Sequence, residues 1–376
     1  MAEKLASNNS TNPVPPDMEI SYVTPESRQY ACIYLSTSPT RMMRPVLQLE
    51  SGKVEWIGTL EQLYLRIALH DEPVLQSYTH QEIMPTNILS VIANLTPFSD
   101  FNQSPRNMYQ CQMGKQTMGT PCYAYTHRMD NKLYRIQTPQ APIVRTRAQD
   151  RYCFDEYAHG TNAVVAVISY TGYDMEDAMI INKGAYDRGF KHGTIYKSQM
   201  VDVTHEGDKS EGLQQYFHNV IEDTKTLFES KLEEDGLPAP GTKLQKGDPF
   251  YCVWDEASKR HIVTRYKSSE PCIVDQVLVL GMGDTPHLPS DELARVSKVA
   301  IKLRYRRTPW RGDKFSSRHG QKGVMSQLWP QESMPFSEMG GITPDVIINP
   351  NAFPSRMTIG MLVESMAGKS GALHGL

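Results

Sequence analysis

The sequence predicts a β-rich chain of mixed α+β class, and three observations carry that expectation. Apolar residues gather in strand-length runs such as "ACIYLST" (31–37), "PVLQLE" (45–50) and "TNAVVAVISY" (161–170), set off by Pro and Gly turns. Helical spacing is confined to "LEQLYLRIAL" (60–69), part of the acidic "GLQQYFHNVIEDTKTLFESKLEEDG" (212–236) and "TIGMLVESMAG" (358–368). The 376 residues are 39% hydrophobic and include four Trp, enough for a core and for two or three domains of roughly 150 residues each.

Taken in order, residues 1–17 are polar and rich in Pro, Asn and Ser, and are expected to be disordered. Strand-like runs then alternate with one helix over residues 18–89. The run 161–170 reads as a buried strand and passes straight into "TGYDMEDAMIINK". From 190 to about 300 the character changes to an acidic, partly helical stretch followed by short strands between turn residues, which reads as an insertion. The strand "SKVAIKLRYRR" (297–307) leads into "RGDKFSSRHGQKG" (311–323). The tail alternates short strands with Pro/Gly turns before its helix. Because "MAGKSGALHGL" ends directly after core-like sequence, a piece of a longer polypeptide is expected.

Charge and cysteine usage exclude several classes. The net charge is −3, so the chain is not basic throughout. From Lys302 to Lys322, however, there are eight Lys or Arg and one acid, whereas Glu206 to Asp235 holds nine acids and three lysines. A basic stripe in a neutral chain points to a polyanion held at one place. The six cysteines form no C-x-x-C pair, which argues against a disulfide framework or a zinc site and for free thiols in a reducing compartment. No run approaches the roughly 18 apolar residues of a membrane span. With no apolar leader, the sequons at Asn9 and Asn94 are expected to be idle.

Three kinds of motif carry chemistry. In "RGDKFSSRHGQKG" Lys314 and Lys322 stand eight positions apart beside Arg311, Arg318 and His319, with Asp313 the only acid. Glycines 312, 320 and 323 allow tight turns and close approach to a ligand, and lysine is a compact charge suited to phosphate. The spacing is not that of a Walker A loop. Nor is that of "MAGKSG", where Val363 stands five positions before Gly368. In "GYDMEDAM" (172–179) the adjacent Glu176 and Asp177 repel one another unless a cation or donor lies near, and a Mg2+ carrying nucleotide phosphates would supply one. An exposed turn or a helix start would explain the same acids. Arg106 in "QSPRNMYQ" and Arg356 in "NAFPSRMTIG" offer guanidinium forks for phosphate. Together these six residues suit phosphoryl transfer, in which positioning and charge neutralisation dominate. The carboxylate cluster that would grip a first ion is missing, which implies a second chain.

As a set, "NQSPRN", "GKQTMG", "GYDMEDAMIIN", "GDKFSSRHGQKG" and "NPNAFPSRMTIG" resemble, in order and spacing, the second-largest (β-like) subunit of multisubunit DNA-directed RNA polymerases. The resemblance runs from about residue 40 onward, while residues 1–20 match no part of that pattern. "YQCQMGKQTMG", "DNKLYRIQTPQAP" and "SQLWPQESMPF" are most similar to the polymerase I class, with polymerase III the alternative. The resemblance implies a nucleotidyltransferase active only with the largest subunit, which would hold the first Mg2+. Lys314 and Lys322 would then lie along the RNA 3′ end and incoming nucleotide, and Arg106 and Arg356 near its triphosphate. Glu176 and Asp177 would stand beside the second Mg2+, Asp177 the closer, and Gln116 and Arg318 would face nucleic acid. Partners would be the other polymerase subunits, the DNA template, the RNA–DNA hybrid and nucleoside triphosphates, in the nucleus or nucleolus and away from membranes. No zinc is expected within this segment. The implied fold is a double-psi β-barrel hybrid-binding domain in two parts (90–192 and a truncated 310–376), a wall-like insertion at 193–309 and an external region at 18–89. A non-catalytic nucleic-acid-binding scaffold is the rival reading.

Overall fold

A computed structural model describes residues 18–26, 30–37, 42–71, 73, 75–203, 215–221, 224–282 and 296–375. The expected disorder of residues 1–17 and part of the acidic block therefore lie outside the described residues. The chain divides into two compact units, Met1–Leu95 and Thr96–Leu376.

In the first unit, Glu19–Tyr22 pairs antiparallel with Ile33–Ser36. A four-stranded sheet has the order Val54–Gly58, Met43–Gln48, His80–Gln81, Ile67–Ala68. The helix expected over 60–69 is shorter, Thr59–Tyr64. Its N-terminal amides at Leu60 and Glu61 donate to the buried Glu19 carboxylate. Leu65 is already extended, and the chain enters Ile67–Ala68, which pairs parallel with His80–Gln81. Backbone pairing at the sheet edge thus ends a helix too short to sustain itself.

The second unit is built on two five-stranded sheets. One is antiparallel throughout, in the order Lys243–Leu244, Cys272–Met282, Val296–Arg307, Gly193–Asp202, Lys132–Ile136. Val299, Ile301, Leu303 and Tyr305 alternate onto one face and pack with Ile195, Val274, Phe250 and Tyr266, the two-residue period of a half-buried strand. The other sheet is mixed, ordered Lys314–Ser316, Lys322–Trp329, Ala178–Asn182, Val346–Ile348, Val165–Val167. Its central strand "AMIIN" is buried on both faces: Met179 packs with Val346, Ile348, Phe353 and Met361, while Ile180 packs with Ile347 and Met334. Residues 193–307 leave and rejoin this region as neighbouring strands, with Gly193 opposite Arg307. Among the described residues the chain is thus β-rich with few helices, compatible with mixed α+β, and the longest helix there is Ile359–His374 at 16 residues.

Two expectations need correction. The run 161–170 holds a three-residue, half-buried strand, Val165–Val167, which among the described residues lies at the edge of its sheet. The acidic stretch, where described, is not helical; it forms Gln215–Phe217, Val220–Ile221 and Thr226–Leu227. Aromatic and β-branched residues favour pairing there. Asn219 organises the turn as well: its amide donates to the carbonyls of Glu229, Leu232 and Glu233 and its carbonyl accepts from the Glu229 N–H.

Candidate functional site

The lysine motif is a hairpin. Lys314–Ser316 pairs antiparallel with Lys322–Trp329, setting Lys314 opposite Val324 and Ser316 opposite Lys322. Cross-strand partners share a face, as do residues two apart on one strand, so Lys314 and Lys322 stand diagonally on the same face. Both are exposed, while Gln321, Gly323 and Met325 alternate inward. Asp313, the only acid of the motif, accepts the Trp310 N–H at 2.8 Å and closes the preceding turn.

Between the two lysines, residues 318–321 turn into the protein and meet several other elements. Arg318 donates to Glu364 and, at 2.7 Å, to the Val144 carbonyl. His319 is wholly buried, with Nε2 on Glu364 and Nδ1 2.9 Å from the Asn102 amide nitrogen. Gly320, at φ +72°, lies so close to the Arg106 backbone that a Cβ would come within 2.4 Å of its carbonyl oxygen. Gln321, also buried, donates to the Ala352 carbonyl at 3.0 Å and to the Thr358 hydroxyl at 2.6 Å. Its own carbonyl accepts from Arg356 at 2.8 Å. Gly323 closes the series: a Cβ there would stand 2.7 Å from the Asp177 carbonyl, and the next amide, Val324, donates to that carbonyl at 2.9 Å. Gly320 and Gly323 are thus required by approach to protein backbone, where the sequence suggested approach to a ligand. His319, counted above among the cations of the motif, is a core side chain.

This packing brings the scattered motifs together. Arg106 lies in the first turn of the helix Ser104–Gly114, with its guanidinium 5.4 Å from the centre of the Tyr109 ring. Lys322 Nζ is 5.6 Å from the centre of the same ring, so two cations lie near one exposed aromatic ring. Arg356 precedes Met357, which has a left-handed φ of +53°, and donates to both Asp177 and Gln321. Asp177 stands immediately before the central strand Ala178–Asn182. Glu176, held at a left-handed φ of +54°, is exposed and makes no hydrogen bond or ion pair among the described residues. The loop before it is secured by the fully buried Asp174, which accepts the Tyr170 N–H, and by Ser326, whose hydroxyl meets the Tyr173 carbonyl at 2.6 Å.

Five residues of the expected set therefore converge directly: Arg106 with Lys322 through Tyr109, Arg356 with Asp177, and Glu176 beside it. Lys314 joins them on the hairpin face. Gln116 is exposed just beyond the far end of the helix that carries Arg106, on the order of 15 Å along its axis at 1.5 Å per residue. Arg318 is turned to Glu364. Burial would raise the Glu364 carboxyl, but the bond from His319 and the Arg318 guanidinium together hold it below the ordinary range. Tyr109, His319, Gln321, Asn102 and Glu364 were not picked out as site residues, since only the fold assigns partners to them. The basic stripe is also less uniform than its sequence. Lys302 is 2% exposed and donates to the carbonyls of Tyr125, Thr126 and Arg128, while Arg307 pairs with Glu270.

The site can bind a polyanion through Lys314, Lys322 and Arg106, and can offer a cation the Glu176 carboxylate and the Asp177 oxygen not engaged by Arg356. Among the described residues no group of three or more His, Cys, Asp or Glu side chains could hold a metal ion. Nor is any helix there long and apolar enough to cross a membrane.

Comparison with known proteins converges on one family. The family described as RNA polymerase Rpb2, domain 6, matches residues 92–376, and that described as RNA polymerase I, Rpa2 specific domain, matches residues 3–44. The second match takes in most of the first 20 residues, which the motifs left unplaced. The chain is 53% identical over 365 residues to DNA-directed RNA polymerase I subunit RPA135 of Saccharomyces cerevisiae, covering 96% of this chain and 30% of that protein. Against the probable DNA-directed RNA polymerase I subunit RPA2 of Schizosaccharomyces pombe the identity is 51% over 382 residues, covering 100% and 32%. Against DNA-directed RNA polymerase I subunit RPA2 of Homo sapiens it is 52% over 369 residues, covering 96% and 31%. The chain thus spans about a third of the length of these relatives.

Proposed function

This chain belongs to the family of RNA polymerase Rpb2, domain 6, and we propose from that premise that it serves in the second-largest subunit of a DNA-directed RNA polymerase I, within the nucleotidyl-transfer active site. The observation that carries this reading is the convergence of Arg106 and Lys322 on Tyr109 beside the Arg356–Asp177 pair. The match to the Rpa2 specific domain and the class I relatives favour polymerase I over polymerase III. Lys314 and Lys322 hold the RNA 3′ end and the incoming nucleotide, and Arg106 and Arg356 neutralise its triphosphate. Glu176 and Asp177 would hold a second Mg2+ with the nucleotide, and the ion would supply charge neutralisation at the pyrophosphate leaving group. Exposed Gln116 faces the RNA of the hybrid, and Arg318 reaches it only with the edge that Glu364 leaves open, its side chain being 26% exposed.

We assign the first Mg2+ to the largest subunit, as the sequence resemblance implies. We assign 90–192 and 310–376 to a hybrid-binding domain of double-psi β-barrel type, 193–309 to a wall and 18–89 to an external region. The mixed sheet that joins 165–182 to 314–348 across the intervening 193–307 supports that division. Template DNA, the RNA–DNA hybrid, nucleoside triphosphates and the other subunits are its partners, in the nucleus and within it the nucleolus.

The test is single-nucleotide addition on a preformed RNA–DNA scaffold by polymerase assembled with the full-length subunit, across a Mg2+ titration. Changing Glu176 and Asp177 together to Ala is expected to lower the maximal rate at least tenfold with scaffold retention unchanged, eased in part by more Mg2+. An unchanged rate with a looser scaffold would leave a nucleic-acid-binding module instead.

A further inference from the structure

The loop between the two lysines contains one titratable side chain that the proposed chemistry does not use. His319 is 0% exposed, yet both ring nitrogens are engaged by side chains from two other segments. The direction of these bonds follows from the backbone. The Gly360 N–H donates to the Asn102 carbonyl oxygen at 2.9 Å, which turns the Asn102 amide nitrogen toward His319. His319 Nδ1 must therefore accept, and Nε2 carries the proton and donates to Glu364. The Asn102 amide also donates to Asn107 at 3.3 Å, in the helix that bears Arg106. Glu364, in the helix Ile359–His374, receives Arg318 as well. Gly360 cannot carry a side chain without meeting Asn102 and the Phe98 carbonyl, each 2.7 Å from its Cβ position. The imidazole is thus a peg with one donor and one acceptor, joining the lysine hairpin to the segment before Arg106 and to the helix that begins two residues after Met357.

We infer that His319 is a positioning residue for nucleotide addition, its neutral Nε2–H imidazole setting Lys322 against Tyr109 and Arg106. The inference rests on the proposed reading of the site. A core histidine that merely filled space would need neither the polarity of these bonds nor two partners from distant segments. Gly320, the residue after the peg, packs on the Arg106 backbone, and Lys322 follows two residues later. A displacement at His319 therefore passes directly to the lysine, and a shift of about 1 Å in a positioning group costs on the order of 100-fold in rate.

The experiment is a double-mutant cycle on single-nucleotide addition, with polymerase assembled around the full-length subunit and scaffold retention measured in parallel. Lys322→Ala is expected to slow addition. His319→Ala is expected to slow it on the order of 10- to 100-fold alone, but by less than about twofold in the Lys322→Ala background, since residues acting through one another are non-additive. Two near-isosteric variants guard against loss of assembly. His319→Gln restores a donor at the Nε2 position and is expected to recover most of the rate. His319→Asn can accept from Asn102 through its Oδ1 but is too short to donate to Glu364, and is not expected to do so. Multiplying effects in the cycle, or equal rates for the Gln and Asn variants, would overturn the positioning role. A normal rate for Lys322→Ala alone would instead refute the reading of the site.

Discussion

Gly320 and Gly323 flank Lys322, and both are dictated by backbone on the far side of the contact, Arg106 O in one case and Asp177 O in the other. A methyl group at either position must push a main chain aside, which costs about 1–3 kcal/mol by overpacking; at Gly320 the left-handed φ adds about 1–2 kcal/mol. Gly312 has φ +97° but nothing within 4 Å of its Cβ position. Gly320→Ala is therefore expected to lower the unfolding temperature and the nucleotide-addition rate well beyond Gly312→Ala, with equal effects on both measures refuting the packing argument. The three glycines were legible in the sequence as turn and approach points. What they approach was not, because a glycine's need for space is set by atoms more than a hundred residues away.

At the scale of elements, the strand Val296–Arg307 holds a buried charge and the helix Ile359–His374 a half-buried one, each with partners from elsewhere. Lys302 donates to three carbonyls of residues 125–128, and replacing it with Met would leave those acceptors unpaired. Lys302→Met is expected to destabilise the fold by about 1–3 kcal/mol, read by thermal unfolding, with scaffold affinity unaltered once the chain is folded. Glu364 offers a pH test. Its carboxyl lies below the ordinary range because His319 and Arg318 outweigh burial. A carboxyl lowered in the folded state binds fewer protons there than when unfolded, so it adds stability above the ordinary carboxylate pKa. That stability is lost as pH falls through the folded-state value. Glu364→Gln is accordingly expected to flatten the acid limb of stability against pH while lowering stability at neutral pH; an unchanged acid limb would remove the ion pair from the account. The acidic stretch 212–236 teaches the same lesson in reverse. Its composition suggested a helix, but Asn219 binds four backbone groups and fixes a turn between short strands.

For the whole molecule, charge distribution matters more than the total of −3. The exposed cations Lys314 and Lys322 share a face of the hairpin, whereas Lys302 is buried and Arg307 is paired. Lys322→Ala is expected to reduce the slope of log scaffold affinity against log salt by about 1, the contribution of one phosphate contact, while Arg307→Ala leaves it unchanged; equal slopes for both variants would show that the stripe acts as a diffuse field. Residue type and motif order were enough to place the chain in its family and to single out six cationic and acidic residues as the proposed site. These follow from chemistry that each residue carries wherever it lies: a guanidinium keeps its charge, and two adjacent acids repel. The tertiary structure alone decided which of the cations remain available. Lys302 and Lys322 are the same side chain twenty positions apart in one basic run. One faces three carbonyls from residues 125–128 and is spent on the fold; the other stands exposed on the face of a hairpin.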